Sequence, residues 1–130
     1  QMLNGEDVFI NGDGETSRDF TYIDNVVQAN ILAGTTTNPD AFAKAYNTAA
    51  AGRETLNNLF NAIKHGLEEK LPELKIKDAI YRDFRAGDIR HSNANIEQAK
   101  ELLGYEPTHT LEQGLKESLS GYINDIKGNK

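Results

Sequence analysis

Two turn dipeptides in immediate succession, Asn11-Gly12 and Asp13-Gly14, constrain the path of this chain more than any other feature. Glycine accepts positive φ without a Cβ clash, so the pair marks a tight reversal. The apolar, β-prone run Val8-Phe9-Ile10 precedes it, and a second β-rich run containing Phe20, Tyr22 and Ile23 follows. Together they predict a hairpin, in which the period of two places Arg18, Phe20 and Tyr22 on one face. Two ligand-binding readings of the glycines fail on spacing. A dinucleotide fingerprint G-x-G-x-x-G needs glycine at position 17, where Ser17 stands. A calcium loop opening at Asn11 needs Gly at 16 and Glu at 22, where Thr16 and Tyr22 stand. The glycines are therefore read as structural.

Beyond the turn, strand and helix patterns alternate. Ile23, Val26, Val27, Ile31 and Gly34 recur at helical spacing, predicting a helix over about 24–34 capped by Asp24 or Asn25. Alternation within Ala43–Ala49 predicts a short strand. Thr55 is placed to cap a helix with the stripe Leu56, Leu59, Phe60, Ile63 and Leu67, which Pro72 bars from continuing and which leaves His65 in solvent. Ile76 to Phe84 reads as a strand, followed by the loop Arg85-Ala86-Gly87-Asp88. Asn95 caps a helix that turns Ile96, Ala99, Leu102 and Leu103 inward and stops at Gly104. Thr110 and Gln113 form a capping box for a last helix striped by Leu111, Leu115, Leu119, Tyr122 and Ile126, with a frayed tail from Lys127 to Lys130. The expectation is one α/β domain of short strands packed with about four helices.

A chain of 130 residues, 38% hydrophobic and 26% charged, can fold around a modest core. It has no cysteine, which removes disulfides, thiolate metal sites and a thiol nucleophile and suits a reducing compartment. No apolar run nears the length of about 18 residues that a membrane span requires, and no signal-like segment opens the sequence. A soluble, cytoplasmic protein without a membrane partner is expected. Its first residues, Gln1 to Gly5, read as the end of a helix stopped by glycine, which predicts a piece of a longer chain.

A net charge of −6 argues against nucleic acid as a partner. Against that acidic background the five arginines are unevenly placed: Arg82, Arg85 and Arg90 fall within nine residues, with Arg18 and Arg53 upstream. Arginine suits a bidentate grip on phosphate, so gathered arginines point either to a small anion or to surface ion pairs. Arg18, Arg85, Asp88, Arg90 and His91 offer cations and one carboxylate for a phosphorylated hydroxyl compound, with Tyr22 a further candidate. A catalyst is not evident. None of the five tyrosines has Lys four residues on, His91 has no visible partner for general-base work, and no local spacing suits a metal.

The segments GDGETSRDFTYIDNVVQAN, YNTAAAGRETLNNLF and YRDFRAGDIRHSNANIEQAKELLGYEP, in this order and spacing, resemble the C-terminal part of the extended short-chain dehydrogenase/reductase family. Within it they are similar to the NAD-dependent nucleotide-sugar epimerases, and most to the UDP-N-acetylglucosamine 4-epimerases of bacterial surface polysaccharide synthesis. The resemblance implies that residues 1–130 are a substrate-binding domain, and that the N-terminal Rossmann domain with its NAD site and catalytic Tyr-x-x-x-Lys is absent from this chain. It implies that Arg18 and Arg85 grip a diphosphate and Asp88 holds ribose hydroxyls, with Arg90, His91 and Tyr22 secondary. Asp19 and Asp24 are read as structural, bonding turn and helix-start amides. The implied parent is a homodimer inverting C4 of a UDP-sugar, UDP-N-acetylglucosamine first, with NAD as its cofactor. The chain alone is expected to be inactive, to bind no cofactor or metal, and to self-associate through the face where the Rossmann domain docks. The same domain in a nucleotide-sugar 4,6-dehydratase or UDP-glucuronate decarboxylase, or a non-catalytic module, is the alternative.

Overall fold

The computed structural model describes residues 1–128. It is a small α/β fold with four α-helices and short strands in the order β1 (Phe9–Asn11), β2 (Ser17–Arg18), α1 (Ile23–Thr35), a 3-10 turn (Pro39–Ala41), β3 (Glu54–Thr55), α2 (Leu56–Lys70), β4 (Ile80–Arg82), α3 (Glu97–Leu103) and α4 (Leu111–Gly128).

The glycine turn does not make a hairpin. β1 pairs in parallel with β4, setting Phe9, Ile10 and Asn11 against Ile80, Tyr81 and Arg82. β2 pairs antiparallel with β3, Ser17 opposite Thr55 and Arg18 opposite Glu54. The hydrogen bonds give the reason. The Gly12 N–H donates to Arg82 O at 2.8 Å, extending the β1–β4 ladder, while the carbonyls of Gly14 and Thr16 accept from Asn57 N and Leu56 N at 3.1 Å each. The two carbonyls satisfy amides that would otherwise lack partners at the start of α2, so the turn redirects the chain onto a helix end instead of folding it back. Gly12 and Gly14 sit at φ 78° and 77°, and a Cβ on either would overlap the Phe84 ring or the Asn57 side chain. Because β2 is only two residues long, Phe20 and Tyr22 do not continue the face of Arg18.

Local signals elsewhere hold well. The Gly5 N–H reaches Met2 O and the Glu6 N–H reaches Gln1 O, the paired bonds of a helix-terminating turn. Thr55 Oγ1 accepts from Asn58 N at 3.0 Å, and Thr110 and Gln113 cap each other through the bonds of a capping box; at α3 the cap position falls to Ile96, and Asn95 one residue earlier accepts from Glu97 N at 2.8 Å. α2 and α4 bury their stripes against each other and the first strand, in a core of Met2, Ile10, Phe60, Leu67, Leu119 and Ile123. On α4 it is Ile123 that enters this core, while Tyr122 is exposed. The predicted fraying is not seen through Gly128; Asn129 and Lys130 lie outside the described residues.

Three further expectations are corrected. α1 begins at Ile23 with Tyr22 at its cap position and no side-chain cap bond, and Asn25 is buried inside it. The apolar residues Ile23, Val27 and Ile31 face outward at 59%, 46% and 59% exposure; the buried face carries Asn25 and Ala29. Small side chains there let α1 approach a second core of Ala29, Ala49, Ile96, Ala99 and Tyr105. Ala43–Ala49 is not a strand: Ala43 turns to a left-handed φ of 56°, and the Ala49 carbonyl at its other end is taken by Tyr105 Oη at 2.8 Å. The predicted strand 76–84 contracts to Ile80–Arg82, all of it exposed. Among the described residues, no helix is long and apolar enough to cross a membrane.

Candidate functional site

The site is assembled where β2 meets the loop following β4. Ser17 N donates to Arg90 O at 2.8 Å and Ser92 N donates to Ser17 O at 3.1 Å, so residues 17–18 run alongside 90–92. The buried Ser17 hydroxyl lies 2.9 Å from His91 Nδ1 and accepts from Arg53 Nε at 3.1 Å. Arg53 can only donate, so the Ser17 hydroxyl oxygen is the acceptor in that contact.

Arg18 projects from this platform. Its Nη2 donates to Asp88 Oδ1 at 2.6 Å and its Nη1 to Ser17 O at 2.8 Å. Asp88 is placed by a turn in which its N–H donates to Arg85 O at 3.2 Å. Arg18, Arg85 and Asp88 together line a cleft of about 420 Å³ whose walls also include Phe9, Ile10, Leu56 and Phe60. An adjoining cleft of about 310 Å³ is lined by Thr16, Phe84, Arg85, Asp88 and Arg90. Among the described residues, Arg85 makes no ion pair. The cleft thus offers two guanidiniums and a carboxylate together with a mostly apolar lining. Both sequence readings of the arginines find support here, since Arg18 pairs with Asp88 while their side chains stay 29% and 31% exposed, open to a ligand.

The three principal candidates converge; the three secondary ones do not join them equally. Arg90 donates to Asp13 Oδ2 at 2.7 Å and lies 5.6 Å from the Phe84 ring centre, so it braces the glycine turn against the loop. That bond, then the Glu15 N–H, holds the Asp13 carboxyl below its usual range. His91 is engaged with Ser17 beneath Arg18. Tyr22 lies elsewhere: its Oη donates to Glu117 Oε2 at 3.3 Å and its ring stands 4.8 Å from that of His109, with burial and then the charges of Asp24 and Glu117 pushing its phenol up. Asp19 is structural through Ala50 N. Asp24 bonds no amide among the described residues; it occupies the first turn of α1, where its charge complements the helix dipole. Sequence reasoning missed Arg53 and Ser17 as braces of Arg18, and a grouping of Asp24, His109 and Glu117, which no local spacing reveals.

Residues 1–118 match a family model described as GDP-mannose 4,6 dehydratase. UDP-glucose 4-epimerase from Thermotoga maritima, solved with UDP-glucose, is 36% identical with a TM-score of 0.78, over 96% of this chain and 37% of that one. UDP-N-acetylglucosamine 4-epimerase from Methanobrevibacter ruminantium M1, in complex with UDP-N-acetylmuramic acid, is 35% identical with a TM-score of 0.79, over 95% and 36%. UDP-glucuronic acid 4-epimerase from Bacillus cereus, in complex with UDP-glucuronic acid and NAD, is 28% identical with a TM-score of 0.75, over 97% and 38%. The chain spans 28% of the length of one curated relative, a UDP-glucuronate 4-epimerase of Arabidopsis thaliana, and 37% of another. On the match of its first 118 residues, the chain belongs to the GDP-mannose 4,6 dehydratase family.

Proposed function

We propose that residues 1–130 are the nucleotide-sugar-binding domain of an NAD-dependent UDP-sugar 4-epimerase. The observation that carries this is the meeting of Arg18, Arg85 and Asp88 in the wall of a cleft whose remaining lining, Asn11 and Thr16 apart, is apolar. In this reading the guanidiniums hold the diphosphate, each able to present a fork of N–H donors to phosphate oxygens. Asp88 accepts from the ribose hydroxyls, and the base lies against the apolar walls. Arg53, Ser17 and His91 fix the backbone from which Arg18 extends, and Arg90 fixes the turn beside it.

The residues of this chain do not fit NAD. The glycine turn lacks the third glycine of a dinucleotide fingerprint, and the space beside Gly12 and Gly14 is filled by the Phe84 ring and the Asn57 side chain. The cofactor, the catalytic tyrosine and the C4 inversion are accordingly assigned to the remainder of a longer, cytoplasmic, homodimeric protein. The outward stripe of Ile23, Val27 and Ile31 supports such a remainder docking on α1, or self-association of the chain without it. UDP-N-acetylglucosamine is the proposed sugar nucleotide, in line with the resemblance of the motifs. The description of the family model favours a second reading, a nucleotide-sugar 4,6-dehydratase, in which the same residues would hold the nucleotide.

Assay of the longer protein with UDP-N-acetylglucosamine and NAD tests the proposal. Formation of the C4 epimer supports it, and Arg85→Ala should then raise KM by about tenfold or more, the equivalent of one lost charge-assisted interaction of roughly 1.5–3 kcal/mol. A 4-keto-6-deoxy product would favour the dehydratase. Wild-type KM in Arg85→Ala would remove Arg85 from the substrate grip.

A further inference from the structure

Apart from the cleft at Arg18, the fold brings Asp24 up to a pair of side chains more than eighty residues further along the chain. Asp24 from the first turn of α1, His109 from the loop before α4 and Glu117 from α4 each present a potential ligand atom, all within 4.8 Å of one another. None of the three lines the cleft at Arg18. We propose that they form a site for a divalent transition metal, fitted to zinc, that clamps α1 to α4 through the loop between α3 and α4.

The hydrogen bonds around His109 carry the argument. Thr108 Oγ1 lies 3.2 Å from Asn25 Oδ1 and 2.8 Å from His109 Nδ1, so Nδ1 is occupied on the protein side in either tautomer. Nε2 is the ring nitrogen left to face Glu117 Oε1, at 3.1 Å. Tyr22 Oη donates to the other oxygen of the same carboxylate. A metal ion that takes the place of a proton between Nε2 and Oε1 would be held by the ring nitrogen and this carboxylate together. Asp24 adds a second carboxylate on the open side, which suits a doubly charged ion better than a single proton.

The geometry suits zinc. Donors bound tetrahedrally at about 2.0–2.1 Å stand roughly 3.3–3.4 Å apart, close to the 3.1 Å between Nε2 and Oε1. The exposed Asp24 needs to swing by only about 1.5 Å to complete three protein ligands, leaving a fourth position for solvent. One imidazole and two carboxylates form a borderline set that favours zinc over calcium or magnesium. The ring is held in place beforehand: fully buried Asn25 bonds Thr108 N, His109 N and His109 O, and Thr108 fixes Nδ1 as an outer partner does in metal sites.

Isothermal titration of the chain with Zn²⁺, paired with Co²⁺ absorption, tests the assignment. One equivalent should bind, tetrahedral cobalt bands should appear, and the thermal midpoint should rise with zinc. Asp24→Asn, at an exposed position with no fold-holding bond, should weaken zinc at least tenfold, as should His109→Gln and Glu117→Gln; Glu73→Gln, at an exposed position in the turn after α2, should not. No binding of Zn²⁺ at 1:1 stoichiometry, or unchanged affinity in both Asp24→Asn and His109→Gln, overturns the proposal. So does an NMR signature of doubly protonated His109 at neutral pH that persists in excess zinc, which would leave the ion pair alone.

Discussion

Asn25 is the residue whose replacement should cost this fold most for its size. It is fully buried, and its Oδ1 accepts from Thr108 N at 2.8 Å, His109 N at 3.1 Å and Thr108 Oγ1 at 3.2 Å, while its Nδ2 donates to His109 O at 2.9 Å. Asn25→Ala strands three backbone groups of the 108–109 loop. A buried polar group left without a partner costs about 1–3 kcal/mol; Thr108 is exposed and water can reach part of the loop, so about 1 kcal/mol each is appropriate. Better helix propensity returns roughly 0.5 kcal/mol. The net loss should be ~2–3 kcal/mol, and with an m-value of about 2 kcal/mol/M the urea midpoint should fall by about 1–1.5 M. Asn25→Asp keeps the Oδ1 acceptor but aims a second acceptor at the His109 carbonyl, so it should be no better than Ala. A midpoint shift under about 0.3 M for Asn25→Ala would refute the view that this side chain ties α1 to the loop before α4.

Tyr105 is fully buried, and burial, then the Asp19 charge, raises its phenol above the ordinary value of 10.0. A pKa raised by folding means stability fully present below pH 10 and lost as pH climbs through the folded-state value; Tyr105→Phe should flatten that alkaline slope in pH-dependent melts while costing about 1–3 kcal/mol at neutral pH for the stranded Ala49 carbonyl. Ala51 sits at φ 56°, so Ala51→Gly should be neutral or stabilise by up to about 1 kcal/mol in urea unfolding, although glycine destabilises most other positions. Gly14→Ala should do the opposite, costing about 1–2 kcal/mol for its φ of 77° and more for the overlap with Asn57, and a stability within 0.5 kcal/mol of wild type would contradict that geometry.

What could be read from the sequence divides by range. Thr55, and Thr110 with Gln113, act within four residues of themselves and cap as the spacing indicates, while Asn95 bonds the first amide of α3 from one residue before the cap position. The glycine turn was legible as a turn but not in its outcome, because the acceptors at Gly14 and Thr16 are claimed by α2, some forty residues later in the chain. Periodicity showed that Ile23, Val27 and Ile31 share a face of α1 without showing what covers it, and the side buried in this chain carries Asn25 and Ala29 instead. Ala43–Ala49 has the alternation of a strand, but Ala43 sits at positive φ and the Tyr105 hydroxyl takes the Ala49 carbonyl. At the site, the clustering of arginines and the family motifs singled out Arg18, Arg85 and Asp88, which do meet. Arg53 bracing Ser17, and His109 joining Asp24 and Glu117, depend on contacts between distant segments that no motif encodes.

The central claim is that Arg18, Arg85 and Asp88 in the wall of the cleft receive the diphosphate and ribose of a uridine nucleotide, and amide chemical shifts of the chain titrated with UDP test it most directly. Saturable shifts are expected at residues 17–18 and 85–90, with little change at Lys100 on α3. Arg85→Ala should weaken the binding by about tenfold or more, and Arg85→Lys should recover only part, since an ammonium lacks the bidentate fork. Millimolar UDP that moves no amide near Arg18, Arg85 or Asp88, or that moves them identically in Arg85→Ala, would contradict it and leave these arginines as ion-pair partners of the surface.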